Sequence, residues 1–166
     1  VLDTFIGLNV TAGYGFLDTG AQHGVIGLPN YNELCDRLAV QGLKPRKEPT
    51  LQANAVGVGG STSFLSSAEI PVGIQGVSGV VTLNVIDTNL PLLLPMTFCK
   101  KLGMILDTTN DTATWKHIGN KVSEVVTLPS DHIASLWHRR THEGCGRQSS
   151  RRKYTKSVFD TCRGLT

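Results

Sequence analysis

The sequence predicts a β-rich fold in one domain of ordinary size. The Val/Ile/Thr-rich runs are short, and glycine is frequent, at 18 of 166 residues, placed where those runs would turn. Hydrophobic residues make up 40% and charged residues 17%. That balance excludes a disordered chain and supplies a core.

Taken in order, residues 2–10, LDTFIGLNV, read as a first strand, and residues 13–20, GYGFLDTG, as a second, with a turn at NVTAG between them. GVIGL at 24–28 is a short apolar piece. Residues 30–45, NYNELCDRLAVQGLKP, read as a helix. Asn30 suits the N-cap and Glu33 stands three residues on; Leu34, Leu38 and Val40 share a face, and Gly42 and Pro45 supply the stop. LQANAV at 51–56 alternates as a strand and leads into GVGGSTSF. EIPVGIQ at 69–75 and GVVTLNVID at 79–87 are two more strands. In the latter, Val81, Leu83 and Val85 point one way and Thr82, Asn84 and Ile86 the other. Residues 90–104, LPLLLPMTFCKKLGM, are an apolar strand end entering a short helix, with Pro95 in the first turn and Gly103 just past the end. MILD and TATWKHI close as a hairpin about TTND. The reading gives eight strands and two short helices, with no internal repeat.

The net charge of +3 is unevenly spread. Residues 1–137 hold 8 Lys/Arg and 11 Asp/Glu, net −3; residues 138–166 hold 8 and 2, net +6. Hydrophobic periodicity fades over the same region. The expected division is therefore a folded domain at 1–125 and a basic, disordered tail or linker at 126–166. The tail offers phosphate contacts to nucleic acid through residues 138–166, set against the plainer reading of solvated charge. His138, His142, Cys145 and Cys162 match neither common zinc spacing, and no metal is expected. The irregularly spaced Cys35, Cys99, Cys145 and Cys162 read as free thiols in a reducing, intracellular compartment, the cytoplasm. No apolar run approaches the roughly 20 residues of a membrane span, and a chain that starts at Val1 reads as a piece of something longer.

Five aspartates stand between a hydrophobic residue and a threonine: Asp3, Asp18, Asp87, Asp107 and Asp160. Asp18 alone is followed by Thr-Gly-Ala. Such a segment can end a strand in a tight turn that presents a carboxylate, with Thr19 anchoring the loop and Gly20 leaving room for a second group to approach. One carboxylate is a poor catalyst of amide hydrolysis. Two that share a site cannot both ionise, so one can take a proton from water while the other donates to the substrate. Asp107, in ILDTT, has Thr109 where a glycine would stand and reads as the start of a hairpin, while Asp87 reads as turn chemistry. GVGG is not a phosphate loop, because no Gly-Lys-Ser/Thr follows it. His23 reads as solvent-facing.

FLDTGA, the following VIGL, the later GVGG and then LPLLLPMTFCKKLGMILD together resemble the retropepsins, the retroviral and retrotransposon aspartic proteases, over about residues 1–118. The resemblance implies a small closed β-barrel with one or two short helices. It implies a homodimer in which each copy gives one catalytic Asp18, a polypeptide substrate, no cofactor, and maturation of a retroelement polyprotein. Thr19 would make hydrogen bonds across the dimer beneath the site. Gly20 and Ala21 would line the cleft, and Gly57, Val58, Gly59 and Gly60 would form a flap over the substrate. Ile26, Val58 and Leu92 are the expected specificity pocket. Departures from the family pattern are Pro95, where it has glycine, and Gln22, His23 and Met96, where retroviral members place the acids and arginine of an intersubunit ion pair. Those departures leave open a second reading, a decayed domain that dimerises or binds peptide without cutting it.

Overall fold

A computed structural model describes residues 14–57, 60–128 and 131–136. The expected first strand at 2–10, its turn and the basic stretch from 138 onward fall outside those residues. The described elements are β1 (Tyr14–Asp18), β2 (Gly24–Gly27), α1 (Leu28–Val40), β3 (Arg46–Glu48), β4 (Asn54–Gly57), β5 (Gly60–Ser63), β6 (Ser66–Ile74) and β7 (Val77–Ile86). They continue with β8 (Leu93–Pro95), α2 (Met96–Lys101), β9 (Met104–Asp107), β10 (Thr112–Trp115), a 3-10 turn at Lys116–Ile118, β11 (Lys121–Thr127) and β12 (Ile133–Leu136).

The β6–β7 hairpin turns at Gln75 and Gly76, both at positive φ. Its strands stay paired from Ser66↔Val85 to Ile74↔Val77. β7 also pairs in parallel with β2, so its apolar residues meet neighbours on both sides and Leu83 and Val85 are fully buried. From there ten strands hydrogen-bond in the order β3-β6-β7-β2-β8-β1-β12-β11-β10-β9. The core gathers Ile70, Leu83, Val85, Leu94, Phe98, Leu102 and Trp115 under the sheet, with Leu34 and Leu38 of α1 packed onto it. Phe98 meets Trp115 edge-on, and the buried indole N–H donates to Ser123 Oγ at 2.8 Å.

The class is mostly β with two helices, as expected. The barrel is not: among the described residues no sheet closes, and the ten-stranded sheet keeps two edges, β3 and β9. Strand pairing also runs past the boundary drawn after residue 125. β11 continues to Thr127 and β12 pairs antiparallel with β1, because Val125 and Ala134 bury their side chains there.

Three local expectations change for steric reasons. α1 starts at Leu28 rather than after Asn30, with Gly27 as its cap and a proline in its first turn. Asn30 instead sends its Nδ2 to Asn89 Oδ1 and Leu90 O, both at 3.0 Å. Val40 is exposed, leaving Leu34 and Leu38 as the buried residues of α1. Pro95 caps α2 from an extended conformation and stands just before its first turn. Gly103 does sit just past that helix, at φ +60°, donating its N–H to Lys100 O at 3.0 Å.

Candidate active site

Asp18 is the last residue of β1, a strand held on both sides. β8 runs parallel to it, with Asp18 opposite Pro95, and β12 runs antiparallel. Phe16 is buried, and Gly15 lies so close to Leu94 that a methyl group there would meet its side chain at 2.8 Å. This end of the strand therefore has little freedom to move, and the carboxylate is placed by the sheet.

The chain then turns sharply. Ala21 N–H donates to Asp18 O at 3.3 Å. The side chain accepts from the same turn: Oδ1 takes Gly20 N–H at 2.8 Å and Ala21 N–H at 3.2 Å. Asp18 is half-buried, while Thr19 and Gly20 are exposed. A carbon added at Gly20 would meet one atom within 4 Å, Asp18 Oδ1 at 3.3 Å. Among the described residues nothing else crowds Gly20, and one carboxylate oxygen is fixed by two amides. Oδ2 accepts no hydrogen bond from any described residue.

The return strand is as constrained as the outgoing one. A methyl at Gly24 would meet Leu83 Cδ2 and Thr82 O at 2.8 Å and Pro95 Cδ at 3.7 Å. Gly24 is thus wedged between β7 and the residue that pairs with Asp18. Pro95 is a site neighbour whose placement sequence reasoning missed. It stood out as a departure, but the parallel pairing of β1 and β8 is non-local and leaves no periodic trace.

Gly57 and Gly60 pair at the described end of β4–β5, a two-stranded hairpin outside the main sheet. Gly60 has φ +115°, a conformation that favours glycine. Val58 and Gly59, the expected tip, fall outside the described residues. The hairpin's root is tied to the strand behind the Asp18 loop. Phe64, just after β5, is buried with Val25 of β2 and Ile86 of β7, and Ala55 and Leu90 pack against them. The structure therefore gathers Asp18, Thr19, Gly20 and Ala21 into one loop and links the glycine hairpin to it through one small apolar cluster.

The expected pocket residues are corrected. Ile26 and Leu92 are buried in the core cluster of the single chain; Val58 lies outside the described residues. Gln22 and His23 are exposed, and Met96 packs half-buried against the core.

The other aspartates do not join Asp18. Asp87 is exposed just after β7. Asp107 ends β9, the far edge of the sheet, separated from β1 by β12, β11 and β10. Its Oδ1 accepts from Thr109 N–H and Asn110 N–H, and its Oδ2 from Asn110 Nδ2 at 2.8 Å, a hairpin turn as expected. The Asn110 side chain, followed by the backbone N–H groups of Asn110 and Thr109, holds this carboxyl below its usual range. Among the described residues no cluster of His, Cys, Asp and Glu has the makings of a metal site, and no helix is long and apolar enough to cross a membrane.

No family model and no curated protein matches the chain. Solved structures similar to it include EIAV protease in complex with an inhibitor, at 24% identity over 56% of this chain and 79% of that one, with a TM-score of 0.41. The retroviral protease-like domain of Ddi1 from Leishmania major is similar at 19% identity over 70% of this chain and 94% of that one, with a TM-score of 0.46. Both neighbours are of the retropepsin kind.

Proposed function

We propose that this chain is an aspartic-type endopeptidase of the retropepsin kind, active as a homodimer in which each copy supplies one Asp18. The observation that carries the reading is the Asp18 carboxylate itself. It stands at the end of an internal strand, with Oδ1 fixed by two backbone amides and Oδ2 accepting no hydrogen bond from any described residue.

One such group is half of a catalytic pair, and no other described aspartate of the same chain lies in its loop. A second copy brought up to the open side of Gly20 supplies the missing half. Two carboxylates a few Å apart share one proton. The ionised member takes a proton from a water held between them, and that water attacks the peptide carbonyl. The protonated member donates to the carbonyl oxygen as the tetrahedral intermediate forms. When the intermediate collapses, the nitrogen leaves protonated and the pair returns to its starting charge. The chemistry uses no covalent intermediate. In this reading Thr19, exposed beside Gly20, bonds across the dimer, as the sequence resemblance implies. In this reading the β4–β5 hairpin covers a bound peptide and excludes water. The sequence resemblance further implies a retroelement polyprotein as the substrate.

The test is peptide cleavage by wild type and Asp18→Asn. Asparagine retains an oxygen for the Gly20 and Ala21 amides, so the fold stays while cleavage falls by at least about 10³-fold. Mixing the two proteins adds a test of the pairing. With free subunit exchange at equal amounts, about a quarter of the dimers carry two aspartates, so the wild-type activity drops to about half. Undiminished activity on mixing removes the shared site, and equal cleavage by the variant removes Asp18 from the chemistry.

A further inference from the structure

Ser67 and Asn84 are a polar pair in an otherwise apolar part of the sheet. They face each other across β6 and β7, and both are about 96% buried, with relative exposures of 4%. Ser67 Oγ donates to Asn84 Oδ1 at 2.6 Å. A polar pair in such a place costs stability unless each member is satisfied. The remaining bonds of this pair reach outward, to two segments that matter for the site. Leu51 N–H donates to Ser67 Oγ at 3.2 Å, and Asn84 Nδ2 donates to Gly24 O at 3.2 Å.

Leu51 lies in the irregular stretch that feeds β4. Gly24 begins the strand that returns from the Asp18 loop and lies against Pro95. Among the described residues the glycine hairpin shares no strand pairing with the main sheet, so beside the apolar packing of Ala55 and Phe64 its attachment rests on its two legs. The outgoing leg is fixed by Leu65 N–H to Val85 O at 2.8 Å. The incoming leg is fixed by Leu51 N–H on Ser67. Both legs therefore end at adjacent positions of β7, one through the backbone of Val85 and the other through the side chain of Asn84.

We infer that Ser67 and Asn84 are a positioning pair that sets the incoming leg of the glycine-rich hairpin in register with the strand behind Asp18. Neither residue touches substrate. On the protease reading the hairpin is the flap, and the pair acts by fixing its incoming leg, so releasing it lowers the fraction of molecules ready to close on a peptide, which reads out as a higher KM. That bearing on catalysis rests on the protease reading above; the hinge itself does not.

The experiment compares Ser67→Ala with Ser67→Thr in the full chain. Amide hydrogen exchange is followed residue by residue, and cleavage of a peptide that the wild type cuts is followed in parallel. In Ser67→Ala the Leu51 amide exchanges about tenfold faster, while the Leu65, Ile70 and Val81 amides stay within about twofold of wild type. KM rises about fivefold with kcat within about twofold. Ser67→Thr keeps a hydroxyl at this position and restores both values. An unchanged Leu51 amide overturns the hinge, and so does equal acceleration at Ile70 and Val81, which marks a purely structural role. An unchanged KM beside a freed Leu51 overturns the link to catalysis. A wild type that cuts no peptide sinks the protease reading, and the exchange data still decide the hinge.

Discussion

Replacing Gly20 by alanine separates what this position does for the single chain from what it does for a pair. In the folded chain the added carbon meets one atom, Asp18 Oδ1 at 3.3 Å, and that oxygen must give by a few tenths of an Å. The bond at stake is Gly20 N–H to Oδ1 at 2.8 Å, and stretching it forfeits part of about 1 kcal/mol. In the unfolded chain the same change removes backbone freedom, which favours folding by about 0.4–1 kcal/mol. The two terms offset, so Gly20→Ala unfolds in urea within about 1 kcal/mol of wild type. The measurement is made at low protein concentration so that dimer formation does not enter. In the proposed dimer, two such methyl groups occupy the space where the carboxylates approach each other. A displacement of the order of 1 Å there costs about 10²-fold in rate. The expected result is near-native stability with cleavage reduced about 100-fold or more. A loss beyond about 2 kcal/mol refutes the open surface over this loop. Retained cleavage refutes the close approach of a second copy on this side.

Gly27→Ala makes the opposite case. Its added carbon would fall 2.1 Å from Thr88 O and 2.3 Å from Leu90 N, both backbone, so it loses about 3 kcal/mol or fails to fold, as urea unfolding or solubility will show. Asp107→Asn leaves peptide cleavage unchanged, because Asp107 closes a hairpin at the sheet edge; lost cleavage would place it in the site. Burial pushes the Cys99 thiol up to about 11 from 9.0. A group raised on folding gives its full stabilisation below its unfolded value and loses it as pH rises through the folded one. Stability therefore falls between about pH 9 and 11, and Cys99→Ala removes that share of the slope in pH-dependent unfolding. The Tyr31 hydroxyl, raised to about 12 by burial first and by Cys35 second, extends the decline above that window.

Much of this architecture was legible because it is local. A carboxylate at a strand end, a glycine-paired hairpin at Gly57 and Gly60, the Asx turn at Asp107 and the left-handed Gly103 all follow from side-chain chemistry within a few residues. What was missed is set by distant partners. β3 and β8 are three residues long and exist because β6 and β1 offer them edges. Asn84 sits in an alternating strand, on the face where Thr82 is exposed. It is buried because β2 and β6 flank β7 on both sides at that point, which alternation within one strand does not record. α1 begins three residues early, capped by Gly27, which is squeezed against Thr88 and Leu90, remote in sequence. The open ten-stranded order likewise depends on which edges find partners, and β12 finds β1 through Ala134, beyond the expected end of the domain.

Asp18 and Asp107 differ in ways that bear on the proposed chemistry. Both lead a turn, and in both Oδ1 accepts the amides two and three residues ahead, at 2.8 and 3.2 Å in one case and 2.9 and 3.1 Å in the other. Local hydrogen bonding is thus shared and does not distinguish them. The difference lies in the second oxygen. At Asp107 the side chain of Asn110 occupies it, so both lone-pair sets serve the hairpin. At Asp18 the corresponding residue is Ala21, which has no donor in its side chain, and Gly20 adds no atom to cover the carboxylate. The position differs as well: Asp107 closes the outermost strand, whereas Asp18 ends an internal strand braced by Pro95 on one side and β12 on the other. Thr-Gly-Ala therefore matters for what it omits. The turn fixes one oxygen and leaves the other without a donor among the described residues, on a rigid support, which is what the proposed sharing of a proton between two identical chains requires.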